Sequence, residues 1–133
     1  MTPQPDPISS IPALIGSRCD ALLVQQFWMR GELVSSANVL LAKFEGVWFR
    51  VCLDGGVVFW RSDVPAPAAL SVPEEGWDYP HVDVATPNGL IGQTLSALSI
   101  TETAAGCKIV FTFSNGRVLL FEEAHDECVC AVT

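Results

Sequence analysis

Positive charge is scarce in this sequence, and long stretches have none. Arg61 and Lys108 are consecutive bases along the chain, and no Lys or Arg follows Arg117. Seven bases stand against fifteen acids, a formal net charge of −8. Such a chain lacks the positive footprint that nucleic acid or an anionic membrane requires, so neither is expected as a partner. No apolar run reaches the ~18 residues of a membrane-spanning helix. No segment carries a long stripe of 3.6-residue period, so little helix is expected. There is no glycine-rich phosphate loop between a strand and a helix. The opening MTPQPDPISS has neither the basic nor the apolar region of a secretory leader, so the expected compartment is the cytoplasm. There the five cysteines (Cys19, Cys52, Cys107, Cys128, Cys130) stay reduced and fill space as small hydrophobes. Their odd number argues against a closed disulfide framework.

What is present is alternation. Half of the 133 residues are apolar, enough for one domain with a real core. Ile109–Phe121 flanks Ser114-Asn115-Gly116 with apolar residues, and Val47–Trp60 does the same around Asp54-Gly55-Gly56. Both read as hairpins. Further strands are expected at Cys19–Met29, Val39–Phe44, Thr94–Thr101 and Glu127–Val132. Residues 1–10 hold three prolines and read as a loose arm. Residues 11–16 are expected to make one helical turn, capped by Ser9 or Ser10.

Two openings are also alike. Leu14-Ile15-Gly16 and Leu90-Ile91-Gly92 are each followed, after four residues, by Ala-Leu-x-Val or Ala-Leu-x-Ile. The hairpins align next, with Val47, Phe49, Val51 and Leu53 opposite Cys107, Ile109, Phe111 and Phe113. The expectation is a tandem duplication of one antiparallel β-meander. The halves are 11–62 and 90–133, joined by a proline-rich connector over 63–89. The fold class is mainly β, two sheets packed as a sandwich or half-open barrel. If the Val/Phe face of 47–53 is core, Trp48, Arg50 and Trp60 are expected on the second face.

Catalytic constellations are weak. His125-x-x-Cys128-x-Cys130 is the one ligand-like spacing, but zinc wants four ligands and no fourth is marked. The expectation is no metal and no cofactor, with Cys128 and Cys130 in the core beside Val129 and Val132. A Cys–His dyad would need an activated thiol, and nothing in the sequence marks one as activated. Glu74-Glu75 and Glu122-Glu123 are adjacent, and adjacent strand residues point to opposite faces. No enzyme is expected.

Acidic clusters carry the functional reading. Glu74, Glu75, Asp78 and Asp83 lie in the connector with Trp77 and Tyr79. Glu122, Glu123, Asp126 and Glu127 follow the last base. Aromatics ringed by acids suit a protein-binding hot spot, or else Trp77 and Tyr79 plug the seam between the halves. The terminal stretch IVFTFSNGRVLLFEEAHDE resembles the F-x-F-x-N-G-x-x-L hairpin and acidic tail of small immunity proteins from bacterial toxin systems. That resemblance implies a non-catalytic inhibitor that binds a basic toxin domain. The ten residues Glu74, Glu75, Trp77, Asp78, Tyr79, Asp83, Glu122, Glu123, Asp126 and Glu127 are the expected contact surface. The alternatives are a structural module that buries its second face in a homodimer, and a small-molecule-binding β domain.

Overall fold

The computed structural model describes residues 12–133. The expected arm at 1–10 and the capping serines lie outside them. Over 12–16 there is a turn at Ile15–Gly16 and no helix, which corrects the expected helical turn. Eleven strands follow: β1 (Cys19–Met29), β2 (Glu32–Phe44), β3 (Val47–Asp54), β4 (Val57–Val64), β5 (Leu70–Val72), β6 (Trp77–Tyr79), β7 (His81–Asp83), β8 (Leu95–Thr103), β9 (Gly106–Phe113), β10 (Val118–Ala124) and β11 (Glu127–Val132). No helix among the described residues is long and apolar enough to cross a membrane.

The strands form two antiparallel sheets. One runs β4-β3-β2-β1-β6-β5, with β7 also on β1, and the other runs β11-β10-β9-β8. Turn chemistry sets the registers. Gly55 and Gly56 both have positive φ (60° and 80°), the conformation of a two-residue type I′ turn, and Asp54 pairs with Val57 across it. The Asn-Gly hairpin is a three-residue loop instead. Gly116 N–H donates to Phe113 O, Phe113 N–H donates to Arg117 O, and Gly116 takes the left-handed position (φ 85°).

With the turns fixed, period-2 alternation decides the core. Phe49, Val51 and Leu53 of β3 point inward with Val58 and Trp60 of β4, and Cys107, Ile109, Phe111 and Phe113 of β9 face them with Leu119 and Phe121 of β10. The rings of Phe44 and Phe111 stack at 6.4 Å. Each such fully buried side chain contributes about 1.5–3 kcal/mol before entropy is charged against it. Trp60 is fully buried, against the expectation that it shares the outer face with Trp48 and Arg50. The two-residue turn is the reason: it places Trp60 opposite Val51, and residues directly opposite share a face.

The two Leu-Ile-Gly openings lie against each other with reciprocal bonds. Gly16 N–H donates to Leu95 O (2.7 Å) and Gly92 N–H to Cys19 O (2.8 Å), while Cys19 N–H donates to Gln93 O and Leu95 N–H to Ser17 O. Leu14 and Leu90 are both buried, and Ile15 and Ile91 are both exposed. The two hairpins do not match in the same way. Gly55-Gly56 joins the third and fourth strands of the first meander, whereas Ser114-Asn115-Gly116 joins the second and third of the other. Any alternating core strand before a glycine turn looks alike in sequence, so β3 aligned with β9 although its place in the chain order is that of β10.

The connector is structured. Its residues form β5, β6, β7 and a 3-10 turn at Pro73–Glu75, and extend the larger sheet along the second edge of β1. Pro80 sits between β6 and β7, where its carbonyl still accepts Gln26 N–H at 2.9 Å. A proline forfeits only the donor.

Candidate functional site

Two acidic turns, remote in sequence, flank the tip of the β1–β2 hairpin. On one side the β5–β6 turn is tied to it, since Arg30 N–H donates to Gly76 O at 2.7 Å. This turn holds Glu74 and Glu75 exposed. Trp77 follows directly, opposite Met29. Its side chain is 38 % exposed, so it does not plug the core. Asp78, also exposed, sits opposite Trp28. On the other side the β10–β11 turn meets β2 around a shallow cavity of about 200 Å³ lined by Leu33, Val34, Ser35, Ser36 and Asp126–Val129. That turn is formed by His125 and Asp126, both at positive φ (54° and 64°). Positive φ at both central residues is what a two-residue type I′ turn requires, here with Ala124 opposite Glu127.

Near these acids are exposed apolar residues that sequence reasoning missed: Met29, Leu33, Val34 and Val129, with Val34 58 % exposed. The available signal was the pair Leu33-Val34, which breaks alternation just after the Arg30-Gly31 turn. Glu32 adds a further acid at the tip, and Arg30 is the base beside it. Among the described residues the one ion pair is Arg18–Asp20, so these acids carry their field outward.

The remaining expected contact residues have other work. Tyr79 is half-buried and stacks on Phe27 with ring centroids 4.8 Å apart. Asp83 Oδ1 accepts the N–H groups of Ala85 and Thr86 (2.9 and 3.0 Å), closing the turn that leads to Leu90. Burial, the largest single influence, raises its carboxyl, but the Thr86 hydroxyl and these two N–H groups together hold it below the usual range. Glu122 stands opposite Lys108 on the outer face of the smaller sheet. Glu123 is 3 % exposed, which corrects its place on an expected surface. It is in phase with Leu119 and Phe121 on β10 and points between the sheets. Its Oε2 accepts Gly55 N–H and its Oε1 accepts Gly56 N–H, both at 2.9 Å.

The thiols are not activated. Burial pushes Cys19 and Cys130 up to about 12. Burial first, and the Glu123 carboxylate second, push Cys128 up to about 11. Cys52 and Cys107 are raised as well, chiefly by burial. Cys128 and Cys130 pack against the core with Val132, while Val129 turns outward and His125 is exposed. No group of three or more metal-ligating side chains comes together among the described residues. Thiolate is the reactive form, so labelling by a chromogenic disulfide reagent at neutral pH should run at least about a hundredfold slower in native protein than in urea. One thiol reacting at the unfolded rate in native buffer would contradict this burial.

Comparison with protein-family models, with curated proteins and with solved structures returned no match.

Proposed function

We propose that this chain is a non-catalytic, cytoplasmic protein-binding inhibitor of the immunity type, which neutralises a basic bacterial toxin domain. The observation that supports it most is the convergence at the β1–β2 tip. Glu32, Glu74 and Glu75 lie beside exposed Met29 and Trp77, and Asp126 and Glu127 lie beside exposed Leu33, Val34 and Val129. An apolar centre within a charged rim is the usual anatomy of a protein interface. The acids steer a cationic partner and accelerate encounter, and the aromatic supplies area at low entropic cost. The reciprocal bonds between the two Leu-Ile-Gly turns support reading the meanders as copies of one unit.

The test uses as binding partner the C-terminal domain of a large secreted protein, if the reading frame directly upstream of this gene encodes one. Trp77→Ala should weaken binding by about 2 kcal/mol or more, roughly thirtyfold, with an unchanged urea midpoint. Glu74→Gln with Glu75→Gln should slow association at low salt and make little difference at high salt. If Trp77→Ala instead lowers stability and leaves affinity per folded molecule unchanged, the tip is not the interface. If the chain sediments as a salt-insensitive dimer and inhibits nothing, the homodimer reading replaces this one.

A further inference from the structure

The larger sheet has a second face, turned away from the sandwich core, and part of it is roofed. β4 and β5 lie at opposite edges of that sheet, so residues 65–69 must cross it. They cross over Leu41, which is buried at 5 % exposure although it lies outside the main core. Pro65 and Pro67 restrict this crossover to an extended backbone with fewer free donors, so the roof is preorganised. Beneath it is a cavity of about 290 Å³ lined by Gln25, Leu41, Arg50, Arg61, His81 and the crossover residues.

The polar lining is unbalanced. Arg50 and Arg61 are directly opposite each other on neighbouring strands, an arrangement that like charges disfavour. Among the described residues no acid lines the cavity, and neither arginine is in an ion pair. His81 stands opposite Gln25, and its Nε2 is buried with no hydrogen-bond partner among the described residues. Two arginines and His81 thus share one pocket with Leu41 and two prolines.

We propose that this cavity binds a small organic carboxylate, its head held by Arg50 and Arg61 and its apolar body against Leu41 and the proline roof. The planar forks of arginine match a carboxylate. The volume is at the lower end of ligand sites, about 300–1,000 Å³, which limits the ligand to a compact acid. The inference does not rest on the acidic tip, which is built from other residues.

The test is titration of the whole chain with benzoate, followed by the backbone amide signals in two-dimensional NMR. Benzamide serves as the neutral isostere and inorganic phosphate as the bare oxyanion. Benzoate should give saturable shifts at Val64, Ala66, Ala68 and His81, and benzamide should give none. Arg61→Met and Arg50→Met should each weaken benzoate by about tenfold or more while the rest of the spectrum keeps its native dispersion. Arg50 is exposed, so its variant carries the test if Arg61→Met does not fold. The proposal is overturned if benzoate gives no saturable shift, if benzamide binds as well, or if Arg50→Met binds like wild type. Saturable phosphate binding at these amides without benzoate binding would also overturn the assignment to an organic acid.

Discussion

Glu123→Ala should lose about 2–4 kcal/mol in urea unfolding, a large share of the 5–15 kcal/mol that holds a typical domain together. The carboxylate reaches from the smaller sheet to the turn of the β3–β4 hairpin in the larger one and accepts both Gly55 and Gly56 N–H groups. Hydrogen bonds to a carboxylate are stronger than neutral ones. Removing it leaves two donors to find water at a part-buried site, and Gly55 is exposed enough for water to recover part of the loss. The neighbourhood is also closely fitted: a Cβ on Gly106 would come within 2.8 Å of Glu123 Oε1. Glu123→Gln keeps one acceptor but aims an amide donor at a backbone N–H, so it should fall between wild type and alanine. Glu74→Ala and Glu75→Ala are the controls. Both residues are exposed, and each substitution should shift stability by less than about 0.5 kcal/mol. A Glu123→Ala protein with a wild-type midpoint would mean that the carboxylate does not tie the sheets together.

The parity of Glu123 was readable. It lies two residues after Phe121 and four after Leu119 on one strand, so alternation alone turns it inward. The acidic run from Glu122 to Glu127 masked this, because charge is usually a surface property and the run was taken as a block. Glu122 and Glu123 point opposite ways, toward Lys108 in one case and toward Gly55 in the other. The partner that makes an inward carboxylate tolerable is a pair of backbone N–H groups about seventy residues earlier in the chain. Side-chain composition does not display such donors.

Strands with a strict period were legible. Cys107–Phe113 and Phe49–Leu53 alternate without interruption, and they form the centre of the core. β5, β6 and β7 were not legible, because each has three residues and prolines surround them. They are strands because β1 has a second edge to pair with, and that edge is a non-local fact. The acidic tip divides in the same way. Glu74, Glu75, Trp77, Asp126 and Glu127 could be picked out by residue type. That they flank one hairpin depends on where Arg30 meets Gly76 and where Val34 meets Val129.

Trp60→Ala should cost about 3–5 kcal/mol, the range for emptying a large aromatic site in a packed core. The indole is fully buried and tilts against Phe49 with ring centroids 5.5 Å apart. Its position facing the smaller sheet leaves little freedom for neighbours on two sheets to collapse into the gap. Yet the ring carries a penalty of its own, since Nε1 is buried without a hydrogen-bond partner among the described residues. An unsatisfied donor of this kind costs about 1–3 kcal/mol. Trp60→Phe removes the donor and keeps a six-membered ring, so relief of that penalty offsets part of the lost packing. The phenylalanine variant should therefore lose less than about 2 kcal/mol, well short of the alanine variant. Paired urea unfolding of the two proteins checks this. Equal losses would show that the indole N–H carries no penalty to relieve. A small loss for alanine would show that Trp60 lies on the outer face with Trp48, where the sequence pattern alone had placed it.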